Sequence, residues 1–148
     1  MTMTVPMLAP VRQSEGSRAA TVEHYHDMET MQLATALAQG LSIVAFAWYG
    51  TSALLSGGMV AEFERYGLGR LRVLTASLQI VGSLGLLAGH FFRPLLLLSA
   101  GGFTAMMLLA LLVRMRIRDP TSAMVPAFVL MCLNLFLVVR AIGSVGPP

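Results

Sequence analysis

The chain has 148 residues, of which 56% are hydrophobic and 11% charged, with a formal net charge of +3 and a mean hydropathy of +0.75. A soluble domain carries about a quarter charged residues, so there is too little charge here to coat a water-exposed surface. All ten basic residues are arginines, spread through the chain rather than gathered on one soluble face, which argues against a nucleic-acid partner.

In chain order, residues 1–32 form a polar extension without the apolar core of a signal peptide, broken by Pro6 and Pro10. Residues 1–17 read as disordered, and "SRAATVEHYHDMETMQ" could carry the first helix out into water. Within it, "EHYHDME" (23–29) gathers His24 and His26 with three carboxylates, weak candidates for a metal. On a helix, residues two apart point about 200° from each other. No metal site is therefore assigned, and a solvated tail is the expectation.

A helix needs roughly 20 apolar residues to cross a hydrocarbon core of about 30 Å. Four runs meet or approach that length: residues 33–55, 71–89, 94–113 and 125–142. None holds an acid, and Arg140 near the end of the last run can snorkel to the interface. The expected fold is all-α, an integral membrane four-helix bundle occupying 33–142, with a short tail at 143–148. Cys132 lies inside an apolar run as a small hydrophobe, and one cysteine allows no internal disulfide.

The connections differ. "SGGMVAEFERYGLGR" is too polar to span, and as a helix it places Met59, Val60 and Phe63 on one side, with Glu62, Glu64 and Arg65 mostly elsewhere. This predicts a short interfacial helix between helices one and two. "HFFR" between the second and third runs demands a tight antiparallel hairpin. Pro94 and Pro126 sit where helices would begin, and Asp119-Pro120 stops the third run. Six arginines (65, 70, 72, 114, 116, 118) lie in the loops after runs one and three, against four on the other side. The positive-inside rule then places both termini on the non-cytoplasmic side. The expected location is a bacterial inner (cytoplasmic) membrane.

The second run carries a carboxamide, Gln79, followed by Gly82, Gly85 and Gly89 on one flank. In lipid, helices associate through close backbone approach and interhelical hydrogen bonds. The glycine flank is read as a packing surface, matched by Gly101, Gly102 and Ala105 on run three. Gln79 is expected to face the interior and bond to Thr104, Asn134, Ser42, Ser52 or a backbone carbonyl. His90, beside Phe91, Phe92 and Arg93, is read as an interfacial anchor, with a quinone headgroup or a haem as the sharper alternative. Trp48 and Tyr49 suit an aromatic belt, and the eleven methionines suit adaptable packing.

Residues 40–142 resemble the DoxX-like family of small four-helix membrane proteins. The resemblance is carried by Tyr49-Gly50, "EFERYGLGRLRVL" (62–74), "LQIVGSLGLLAG" (78–89) and the Arg-x-x-Asp-Pro close at 116–120. It implies a four-helix bundle and a link to membrane redox chemistry, since founding members are subunits of a thiosulfate:quinone oxidoreductase and distant relatives are assembly chaperones. The family pattern has a glutamate where this chain has Gln79, and often a lysine where it has Ala53 or Leu54. Losing both leaves no buried unpaired charge, and also removes the groups best suited to move a proton with a quinone.

The leading expectation is therefore a non-catalytic accessory subunit docking in a larger, redox-linked membrane complex, with lipids and other membrane subunits as partners and no certain cofactor. One alternative is a subunit of a quinone-linked oxidoreductase, with Gln79, His90 and Arg93 as headgroup contacts and quinone as cofactor. A small transporter or membrane assembly chaperone is another.

Overall fold

The computed structural model describes residues 12–143. Its helices are α1 (Arg12–Leu55), α2 (Gly57–Arg65), α3 (Arg72–Ala88), α4 (Arg93–Arg116) and α5 (Thr121–Gly143), with a single 3-10 turn at Gly69–Leu71 ahead of α3. Among the described residues, four helices are long and apolar enough to cross a membrane, at Thr21–Leu55, Gly69–Ala88, Arg93–Arg116 and Thr121–Gly143. The short α2 lies between the first two, as predicted.

Two compact units divide the chain, up to Ala34 and from Thr35 onward. In the first, the described residues are helical from Arg12, so residues 12–17 of the stretch read as disordered form helix. Arg12, Gln13, Glu15 and Arg18 are good helix formers, opposed by Gly16 alone among strong breakers. His24 and His26 are exposed. Among the described residues, no group of three or more His, Cys, Asp or Glu side chains is placed to hold a metal. Residues 1–11 of the expected extension, and 144–148 of the expected tail, lie outside the described residues.

The second unit is an up-down-up-down bundle. Large apolar side chains point outward on every span, Val44, Leu84, Leu98 and Val139 each being over half exposed. Such a surface suits acyl chains rather than water. Inside, Phe46 of α1 stacks on Phe103 of α4 with ring centroids 3.6 Å apart, surrounded by Leu86, Ala100, Met107, Leu130 and Leu137.

The predicted glycine flank makes the α3–α4 seam. A Cβ at Gly82 would lie 2.5 Å from Phe103 Cζ, one at Gly85 would collide with Ser99 Oγ, and one at Gly89 would lie 2.7 Å from the Leu96 Cα. Pairing 82 with 103, 85 with 99 and 89 with 96 is the antiparallel register that the four-residue turn imposes. The counterpart expected on α4 differs: a Cβ at Gly101 or Gly102 would meet nothing within 4 Å. The seam is filled by Leu96, Ser99 and Phe103, which lie on a different face of α4 from those glycines. A second close approach, at Gly50, seats α1 against Ala76, Gln79 and Ile80 of α3.

Pro126 does not open a helix; it lies inside α5, which begins at Thr121. The reason is local. α4 ends in a Schellman turn, with Arg118 N donating to Met115 O and Asp119 N to Arg114 O. Arg118 adopts the left-handed φ of 57°, a place usually given to glycine. Pro120 follows at once, and the chain re-enters a helix without spare residues. α2 ends in the same way, with Gly67 at φ 69° and bonds from Gly67 N to Glu64 O and Leu68 N to Phe63 O.

Candidate functional site

Below the two Schellman turns lies a cavity of about 440 Å³ in the second unit. Each helix contributes a wall. Tyr49 and Ala53 come from α1, Met59, Glu62 and Phe63 from α2, Leu71 from the 3-10 turn, Thr75 and Gln79 from α3, Met106, Met107, Ala110 and Arg114 among others from α4, and Ala123, Pro126, Ala127 and Leu130 from α5. Leu71, Thr75 and Gln79 fall at every fourth residue, the spacing of a single stripe on a helix. α2 closes one side: Met59 and Phe63, expected to share a face, both line the cavity, and Glu62, expected elsewhere, lines it with them.

Glu62 is half-buried because it has partners. Tyr66 Oη donates to Glu62 Oε1 at 2.5 Å, and Arg114 Nη2 donates to the same oxygen at 3.0 Å. Arg114 Nη1 also reaches Asp119 Oδ2 at 3.0 Å. Asp119 in turn takes Arg65 in a two-pronged contact, Nη1 to Oδ1 at 2.8 Å and Nη2 to Oδ2 at 3.2 Å. Both guanidinium groups lie over the Tyr66 ring, at 5.0 and 5.2 Å from its centroid. Two arginines and two carboxylates thus neutralise one another.

The electrostatics follow from that geometry. The Arg65 guanidinium holds the Asp119 carboxyl below its ordinary value, and Asp119 raises Arg65 correspondingly. Burial, then donation to the anionic Glu62, pushes the Tyr66 phenol up to about 12. It remains a hydrogen-bond donor throughout the physiological range.

At the membrane end of the cavity the balance is different. Gln79 is 8% exposed, and its buried Oε1 has no hydrogen-bond partner. None of its expected partners takes it up. Thr104 donates to Ala100 O within its own helix, while Asn134 Nδ2 donates to Ser42 Oγ at 3.2 Å and Leu130 O at 2.8 Å. Ser42 and Asn134, each proposed as a partner for Gln79, pair with each other across α1 and α5.

Gln79, His90 and Arg93 do not converge. Eleven residues of helix and turn put Gln79 roughly 16 Å from His90 along the axis, and neither His90 nor Arg93 borders the cavity. His90 is exposed, with Phe91 edge-on at 5.3 Å. Arg93 donates through Nη2 to the carbonyls of Ala141 and Ile142 and so closes the C-terminus of α5. Arg72 does the same for α1, through Nη1 to Ala53 O at 2.5 Å and Leu54 O at 3.4 Å. Cations at helix C-termini satisfy orphan carbonyls and oppose the dipole.

The sequence reading missed Gln39, whose Nε2 donates to Leu86 O at 2.6 Å in the buried interior, and the whole ion-paired rim. One signal for the rim was available: Asp119 is the single acid in a loop of arginines, and a topology signal has no need of it.

The model of the DoxX-like family matches residues 37–137. The chain belongs to that family. The DoxX-like region takes in the bundle from Leu37 to Leu137, the cavity, the rim and the Ser42–Asn134 bond, and it leaves His24 and His26 outside. Comparison with curated proteins and with solved structures gave no match to the chain.

Proposed function

We propose that this DoxX-like protein is a non-catalytic accessory subunit of a larger membrane complex, one engaged in redox chemistry as the family resemblance implies. We place it in a bacterial inner membrane with both termini on the non-cytoplasmic side. The observation that carries the reading is the open glycine pair on α4. The space beside Gly82, Gly85 and Gly89 is filled by the bundle itself, whereas among the described residues no neighbouring helix comes within 4 Å of a Cβ built at Gly101 or Gly102. In lipid a bare glycine face gains energy only when another backbone comes close. The occupant proposed is a transmembrane helix of a partner subunit.

The rival is a quinone-linked oxidoreductase subunit. It asks Gln79, His90 and Arg93 to share one headgroup, and the separation of Gln79 from the other two speaks against that arrangement.

The test is native electrophoresis of mildly solubilised membranes, with Gly101→Leu and Gly102→Leu variants beside the parent. The parent should migrate within a larger assembly, and the variants should fall out of it while keeping the parent's unfolding midpoint. Migration of the parent as a lone chain, as a pair of identical chains, or undisturbed assembly of the variants would overturn the reading.

A further inference from the structure

We propose that the cavity between the helices is a binding site for a small, uncharged lipophile carrying a hydroxyl head, which it holds against Tyr49, Thr75 and Gln79. This does not depend on whether the protein docks in a complex.

Besides Glu62, Tyr66 and Arg114 of the ion-paired rim, three hydrogen-bonding side chains border this cavity: the Tyr49 phenol, the Thr75 hydroxyl and the Gln79 carboxamide. Gln79 Oε1 is buried and unpartnered, and the half-buried side chains of Tyr49 and Thr75 make no hydrogen bond among the described residues. Elsewhere in the spans Gln39 is engaged with Leu86, Ser83 with Ile80 and Thr104 with Ala100; Asn134 Oδ1 is also buried without a partner, but its amide nitrogen is bonded to Ser42 and Leu130. Buried polar groups without partners are rare and costly, the more so where the surrounding solvent is hydrocarbon. Gln79 is such a group, and two half-buried hydroxyls without partners border the same cavity, which points to a ligand as the missing partner. Apart from the charged rim, the remaining wall is apolar and includes Met59, Met106 and Met107, side chains that adapt to the shape of a bound chain. The volume of about 440 Å³ lies in the range of small-molecule pockets.

The chemistry of the head follows from what lines the site. The charged rim is internally neutral, with Arg114 already committed to Glu62 and Asp119. An ionised carboxylate or phosphate would find no free cation there and would be placed beside Glu62. An uncharged head is therefore favoured. A carboxamide can present either its oxygen or its nitrogen, and a hydroxyl, which both donates and accepts, satisfies either orientation. A bare carbonyl satisfies only one.

The probe is a diazirine-bearing dodecan-1-ol, applied to the purified full chain in nanodiscs, with the matched dodecane and dodecanoic acid diazirines as controls. Photolabelled peptides are mapped by mass spectrometry. The alcohol should label the 106–113 and 59–63 segments saturably, and more strongly than either control. Gln79→Leu, nearly equal in volume, should raise the half-saturating concentration of the alcohol about tenfold and leave labelling by dodecane unchanged. Ala110→Phe, which fills the cavity, should abolish saturable labelling, with retained helical circular dichroism confirming the fold. Equal labelling by all three probes, unsaturable labelling spread over the lipid-facing surface, preference for the acid, or an unchanged half-saturation in Gln79→Leu would each overturn the proposal. So would displacement of the probe by a short-chain benzoquinone at lower concentration than by dodecan-1-ol.

Discussion

Replacing Gly89 by alanine tests how closely α3 and α4 approach. Gly89 has φ −62°, a conformation open to any residue, so alanine there brings no backbone strain. Its Cβ, however, would sit 2.7 Å from Leu96 Cα, 2.8 Å from Leu96 N and 2.9 Å from Leu96 Cβ. Carbon atoms rest about 3.5–4.0 Å apart, so the hairpin would have to open by roughly 1 Å, and the atoms in the way are mostly backbone. Overpacking of this kind costs about 1–3 kcal/mol. Gly102→Ala is the matched control, since its Cβ meets nothing and helix propensity favours alanine there by up to about 1 kcal/mol. The two variants should separate by about 2–3 kcal/mol in SDS titrations from mixed micelles, followed by helical circular dichroism. Gly89→Ala falling within about 0.5 kcal/mol of the parent, the scatter of ordinary surface changes, would refute the reasoning. So would an equal loss in Gly102→Ala.

Three further outcomes follow from particular contacts. Arg118 holds a left-handed φ that disfavours a side chain by about 1–2 kcal/mol, so Arg118→Gly should raise stability by about 1 kcal/mol after glycine's own entropic cost, read in the same titration. A double-mutant cycle on Ser42→Ala and Asn134→Ala should give a coupling of about 0.6 kcal/mol and no more than about 1.7. Asp119 has a folded pKa below its unfolded value, so its ionised form stabilises above the ordinary value of about 3.9 and that contribution fades as pH falls through the lower folded value. Asp119→Asn should therefore be less stable than the parent at neutral pH, with the gap closing below pH ~4 in thermal midpoints across pH.

Much of the bundle was legible because hydrocarbon is an undemanding solvent to read for. Length and absence of charge located the spans, and Gly82, Gly85 and Gly89 identified their own seam by spacing. α2 was legible from the side shared by Met59, Val60 and Phe63. What failed was partner choice. Gln79, Ser42, Thr104 and Asn134 are all plausible mates on paper, and only the rotation of each helix decides which meet. Gly101 and Gly102 mirror the α3 glycines in composition but sit one step around the helix, outside the seam. The rim was illegible for a different reason: Glu62, Arg65, Arg114 and Asp119 each look like solvated interfacial charges, and it takes two turns with left-handed residues to bring them together.

The arginines that close α1 and α5 bear on how the protein is made. The Ala53 and Leu54 carbonyls at the end of α1 receive their guanidinium only once Arg72, the first residue of α3, is in place, and the Ala141 and Ile142 carbonyls of α5 receive theirs from Arg93, threaded into the membrane earlier. Each fastening joins segments that leave the ribosome at different times. A chain released before α5 is synthesised would keep a guanidinium stranded at the bilayer edge with nothing to cap, a defect that quality-control proteases could recognise.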